Sequence, residues 1–121
     1  MKYPWLDEYC LSKSFVEKDF KPEWNATRYM IKGKMFALQG GDKEGKAIFT
    51  VKLDPSHGLA LRQQYTDIVP GYYMNKDHWN SLDLDGNVPG EVVKSMVDQS
   101  HRLIFESLNK KAQKELLDNE Q

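Results

Sequence analysis

The run Asn75-Lys76-Asp77-His78-Trp79-Asn80 gathers more chemically capable side chains than any other stretch of this chain. Lys76 can hold a phosphate. Asn75, His78 and Asn80 can donate to phosphate oxygens or base edges. Tyr72 and Tyr73, just upstream, and Trp79 within the run offer stacking surfaces. The same residues also admit a structural reading. Trp79 and Tyr72 then anchor the stretch, while Asn75 and His78 tie a tight bend by side-chain to backbone bonds. For Trp79 the anchor role is expected. For Lys76 and His78 both readings stay open, and Asp77 between them works against a bound phosphate.

Catalysis is not expected. Lys76, Asp77 and His78 can move protons, but the stretch lacks an activated nucleophile, a metal-ligand cluster and a Gly-rich phosphate loop. Ser100 has no His and acid pair placed beside it. It reads as a small residue that lets a helix approach a sheet, its hydroxyl bonded to a backbone carbonyl. His57 has no second ligand at a spacing such as His-x-x-x-His, so no metal site is expected, and no cofactor. Cys10 falls on an apolar stripe, where a thiol behaves as a small buried hydrophobe.

Charge is uneven. Residues 26–53 hold Arg28, Lys32, Lys34, Lys43, Lys46 and Lys52 against Asp42 and Glu44, a net charge of +4 in a chain whose overall charge is −1. Lys32 and Lys34 flank a hairpin tip, and Lys46 and Lys52 share an outward strand face. Such strands can straddle a phosphate backbone. They serve equally as a solvated face whose lysines block edge-to-edge pairing. With a pI near 6.3, the whole molecule has no basic character, which counts against indiscriminate nucleic-acid binding.

The elements that must position these residues follow from spacing. Pro4 opens a helix over residues 3–13, with Trp5, Leu6, Tyr9 and Cys10 on one stripe. Residues 14–26 read as irregular, with Trp24 a packed anchor. Three strands follow: Thr27 to Lys32, Lys34 to Gln39, and Lys46 to Leu53. Lys32-Gly33 forms the first turn. In the third strand Ala47, Phe49, Val51 and Leu53 face a core, and Lys46, Ile48, Thr50 and Lys52 face water. Asp54-Pro55 starts a second helix running to about Tyr65. The stretch after Pro70-Gly71 and the run from Trp79 to Leu84 supply strands four and five, closed by the Asp85-Gly86 turn. Pro89 opens a long helix carrying Val92, Val93, Met96, Val97, Ser100, Leu103, Ile104 and Leu108 on one stripe. A short charged helix ends the chain. The predicted fold is α+β in two layers: an antiparallel five-stranded sheet with helices on one face, in the order α-β-β-β-α-β-β-α(-α).

Gly71-Tyr72-Tyr73-Met74-Asn75-Lys76-Asp77-His78-Trp79-Asn80, followed by Asp83-Leu84-Asp85-Gly86, resembles the signature of the MmcQ/YjbR family. Tyr9-Cys10-Leu11, Gly33-Lys34-Met35-Phe36-Ala37-Leu38 and the late helix with Ser100 extend the match over nearly the whole chain. The resemblance implies a small α+β, YjbR-like fold and DNA binding. The implied contacts are the basic strands (Lys32, Lys34, Lys46, Lys52) and the bend (Asn75, Lys76, His78, Asn80). A non-catalytic module for a protein partner or a small anion is the alternative.

The length of 121 residues fits a single domain over 1–121. One cysteine makes no internal disulfide, and no signal peptide or long apolar run is present. A reduced cytoplasmic setting is expected, with no membrane association and a monomer as the simplest state.

Overall fold

The computed structural model describes residues 2–71 and 75–119. Its elements are α1 (Leu6–Ser12), β1 (Glu17–Lys21), a single 3₁₀ turn (Pro22–Trp24), β2 (Ala26–Ile31), β3 (Lys34–Gly41), β4 (Ala47–Lys52), α2 (Pro55–Gln64), β5 (Ile68–Pro70), β6 (Trp79–Asp83), α3 (Gly90–Ser107) and α4 (Lys110–Asn119). The strands form one sheet in the order β1-β2-β3-β4-β6-β5, every neighbouring pair antiparallel. The α+β class and the antiparallel sheet are as expected from the sequence.

The strand count is a correction: six, not five. The added strand is β1, within the stretch read as irregular. Glu17-Lys18-Asp19-Phe20-Lys21 carries four charges in five residues and hides neither face, so it has no hydrophobic alternation to detect. Its charges suit an edge strand, whose outer row of N–H and C=O groups would otherwise template aggregation.

Register sorts the sheet into two faces. Tyr29, Ala37, Val51 and Asn80 are successive partners across β2, β3, β4 and β6, and all are buried. Leu6 and Cys10 of α1, Leu61 of α2, and Val93, Met96, Val97 and Ile104 of α3 join this face in one core with Phe36, Phe49 and Leu53. Ala112 and Leu116 of α4 pack against it. The opposite row contains Arg28, Leu38, Thr50 and Ser81. It is not uniformly wet. Thr50 and Ser81 lie directly opposite each other, are 3% and 2% exposed, and join their hydroxyls at 2.8 Å.

Lys32 (φ 49°) and Gly33 (φ 78°) make the two-residue turn between β2 and β3. Two successive positive φ values match the twist of a tight hairpin. Below it, Tyr29 pairs with Ala37 and Met30 with Met35, leaving Phe36 as the extra residue of a bulge. Ala37 pairs with Val51 on the other side, so Phe36 stands level with Lys52. There α3 completes the sheet's hydrogen bonding. The Ser100 hydroxyl donates to the Phe36 carbonyl at 2.5 Å and accepts from the Lys52 N–H at 2.9 Å. Ser100 is thus the close-approach residue expected from its stripe, and it also substitutes for a missing rung between two strands.

Candidate functional site

The bend comes first. The Asn75 side-chain oxygen accepts from the Asp77 N–H at 2.9 Å, and its carbonyl accepts from the N–H groups of His78 and Trp79 at 3.2 and 2.9 Å. Asn75 therefore ties the turn, as side-chain to backbone bonding by Asn commonly does. Lys76 is exposed at the tip, and His78 is half-buried. The His78 carbonyl accepts from the Leu53 N–H at 2.7 Å, which fixes the bend to the end of β4. Trp79 opens β6 as the partner of Lys52, so the two stand side by side on the face away from the helices. Trp79 is half-buried, and Tyr72 lies outside the described residues.

Asn80 is a correction. It is 0% exposed and faces the helix layer beside Val51. Its carbonyl oxygen accepts from the Arg62 guanidinium of α2, and its amide donates to the His78 carbonyl at 3.2 Å. A Cβ on Gly58 would lie 3.0 Å from the Asn80 amide atoms, so glycine there lets α2 sit down on this side chain. Asn80 has no free edge for a nucleic acid. It is a polar node inside the fold, paired as buried amides are.

The lysines divide by position. The β2–β3 turn, the end of β4 and the start of β6 all lie at one end of the sheet, because antiparallel pairing sets Lys34 near the level of Lys52 and Lys52 opposite Trp79. That end carries Lys32, Lys34, Lys52, Lys76 and His78. Lys32 bonds Glu115 of α4 at 2.7 Å, and Lys34 reaches the carbonyl of Ser107 at the end of α3 at 3.4 Å. Both lean toward the helix layer, whereas Lys52 lies on the opposite face. The Lys32–Glu115 contact also brings α4, with exposed Lys110, Lys111 and Lys114, to the same end. Sequence reasoning missed these three, because charge counted along the chain assigned the late segment to the acidic remainder. Lys46 does not belong to this group. It sits at the far end of β4, paired with Asp83 at 3.1 Å, and that contact raises its pKa.

Two aromatics stand out elsewhere. Trp24, read from sequence as packed, is 48% exposed, with the Lys21 ammonium 4.9 Å and the Arg28 guanidinium 5.9 Å from its ring centre. The 3₁₀ turn ends at Asn25 (φ 49°) and projects the ring off the sheet rim rather than into the core. Phe20 is 56% exposed beside Thr27, its partner on β2. Cys10 is fully buried, and burial, then nearby Asp7, push its thiol up to about 12. His57 uses Nδ1 to donate to Gln99 Oε1 at 3.0 Å, an oxygen that also accepts from the Asp54 N–H at 3.0 Å. Among the described residues no three His, Cys, Asp or Glu side chains gather as metal ligands, and no helix is long and apolar enough to cross a membrane.

These features define a small α+β domain: a six-stranded antiparallel sheet with helices on one face and a lysine-bearing bend locked to the end of the central strand. The chain belongs to the YjbR family, whose pattern matches residues 11–103. It is 31% identical over 97 residues to the uncharacterised protein YjbR of Escherichia coli K12, covering 80% of this chain and 81% of that one. It is 33% identical over 107 residues to the uncharacterised protein YbdF of Escherichia coli O157:H7, covering 87% and 85%. Among solved structures, a Deinococcus radiodurans protein with the DUF419 domain superposes with a TM-score of 0.82 at 29% identity, over 92% of this chain and 84% of that one. A Pseudomonas syringae protein shares the fold with a TM-score of 0.71 at 21% identity, over 86% and 99%.

Proposed function

We propose that this protein is a non-enzymatic, duplex-DNA-binding member of its family, acting as a monomer in the cytoplasm. Its contact surface is the sheet end that carries Lys32, Lys34, Lys52, Lys76 and His78, extended by Lys110, Lys111 and Lys114 of α4. One observation supports the reading: cations from four separate segments lie at one end of the sheet, Lys32 among them paired with Glu115, while Lys46 lies at the far end of β4, paired with Asp83. Lys76 and His78 present the tip of the bend, and Trp79 beside Lys52 offers a flat apolar surface next to a charge. Asn75 and Asn80 shape the bend and touch no DNA in this reading.

The chain as a whole carries a net charge of −1, so affinity without a cognate sequence is micromolar or weaker at physiological salt. The test titrates a panel of labelled duplexes against wild type at several salt concentrations. About four phosphate contacts give a log–log salt slope of roughly −4. The Lys34→Ala/Lys52→Ala/Lys76→Ala variant loses about three units of that slope, whatever the duplex. Lys46→Ala leaves it unchanged. Equal binding by wild type and the triple variant, or no binding by wild type at low salt, removes the reading.

A further inference from the structure

A second site lies at the other end of the strands. A cleft of about 350 Å³ is lined by Asp7, Lys18, Thr27, Tyr29, Gln39 and Gly40, with Ala47 and Leu84 beside them. That volume falls at the small end of pockets that hold small molecules. Asp7 projects from α1, Lys18 from β1, and Thr27 and Gln39 are direct partners on β2 and β3. Four elements therefore converge on one polar hollow with an apolar side.

The hollow is open to solvent, with the Asp7 and Lys18 side chains each 42% exposed, and its polar groups keep hydrogen-bonding capacity that a ligand could use. Lys18 Nζ reaches Asp7 Oδ1 at 2.7 Å, and the Tyr29 hydroxyl donates to the same oxygen at 2.7 Å. Among the described residues nothing bonds Asp7 Oδ2. An ammonium has three donors, so Lys18 keeps two to offer. The Thr27 hydroxyl and the Gln39 amide, both half-buried, likewise have no hydrogen-bond partner among the described residues. The carboxylate is ionised at neutral pH, since Lys18 first and then Tyr29 hold Asp7 below its ordinary range. Burial and Asp7 keep the Tyr29 hydroxyl protonated as a donor.

We propose that this cleft binds a free apolar α-amino acid. The ammonium donates to Asp7 Oδ2. The carboxylate accepts from Lys18, Thr27 and Gln39. The side chain lies against Ala47 and Leu84, with Phe20 at the rim. The adjacent opposite charges of an α-amino acid match the adjacent opposite charges of Asp7 and Lys18. A ligand with one charge satisfies only half of the site, and charge-assisted bonds are the strong ones. The site is independent of the DNA-binding surface, which lies at the opposite end of the sheet, so either proposal can fail alone.

The experiment is calorimetric titration of the intact wild-type protein with L-leucine, L-methionine and L-phenylalanine. The blocked analogues N-acetyl-L-leucine and L-leucinamide, and the single-charge analogues isoamylamine and 4-methylpentanoate, serve as comparisons. Saturable binding of at least one free amino acid is expected, with Kd raised at least tenfold for its blocked or truncated forms. Lys18→Met and Thr27→Val each weaken binding about tenfold, the loss of one good charge-assisted bond. Thr27→Val keeps the shape of the strand side chain and guards against a folding defect in the other variant. No saturable binding of any of the three amino acids, or equal binding of free and blocked leucine, overturns the proposal.

Discussion

Asn80 shows how burial decides between two uses of one side chain. In the sequence it stands beside His78 and Trp79 and has the donors that read a base edge. In the fold it points the other way, into the seam between β6 and α2, where Arg62 and the His78 carbonyl occupy it. A strand alternates faces, so the neighbour of a surface residue is a core residue. Asn80→Ala leaves the Arg62 guanidinium without its acceptor and opens a small void. Arg62 is half-buried, so what is lost is one hydrogen bond to a charged group, about 1.5–3 kcal/mol. Urea midpoints of the variant are expected to fall accordingly, while its DNA salt slope stays that of wild type. A lost slope with unchanged stability would return Asn80 to the contact surface.

Among elements, those with strong periodicity were readable in advance. The stripe of α3 predicted the buried Val93, Met96, Val97, Ser100 and Ile104, and Lys32-Gly33 predicted its turn. The edge strand β1 was not readable, because charge on both faces erases alternation. Strand β5 is only three residues long and ends at Pro70, so the Pro70-Gly71 pair closes this strand rather than opening it as the sequence predicts. The candidate site was readable only in part. Outward alternation placed Lys46 and Lys52 on one face, but the Asp83 that holds Lys46 comes from a strand distant in sequence. Pairings of that kind are set by register, which a single sequence does not display. The Ser100 seam belongs to the same class. Its stripe predicted close packing, and only the bulge at Phe36 explains why a hydroxyl is needed there. Ser100→Ala leaves the Phe36 carbonyl and the Lys52 N–H facing each other across the widened ladder. The expected cost is about 1–3 kcal/mol, from unpaired buried backbone groups. Hydrogen exchange at the Lys52 amide should quicken with it. Unchanged stability together with unchanged exchange would show that β3 and β4 close the gap by themselves.

For the whole molecule, acid reaches the fold in two stages, and the sign of each follows from its cause. His101 on α3 donates from Nε2 to the Ser14 carbonyl at 2.7 Å and meets the Phe36 ring edge-on at 5.3 Å. Burial lowers its pKa, the Ser14 bond partly opposes this, and Lys13 lowers it while Asp98 raises it. The folded protein therefore holds His101 neutral where the unfolded chain protonates. Above the ordinary histidine value of about 6.5 the two states bind protons alike. As pH falls below that value the unfolded state gains protons first, so stability drops until the folded pKa is passed. The carboxylates respond later. Lys18 and then Tyr29 lower Asp7, while for Asp98 and Asp83 burial works upward and the bonds from Lys13 and Tyr9, and from the Asp85 N–H and Lys46, outweigh it. Their stabilisation is present above about pH 4 and is lost as pH falls through the lowered folded values. Urea midpoints measured from about pH 8 to about pH 5 should therefore decline below roughly 6.5 in wild type. In His101→Gln, which keeps a donor near Ser14 but does not titrate, the decline over that window should disappear. The steeper loss below about pH 4 should remain in both proteins. Equal declines in the two proteins between about pH 6.5 and 5 would assign the first stage to another group and leave His101 a packing residue only.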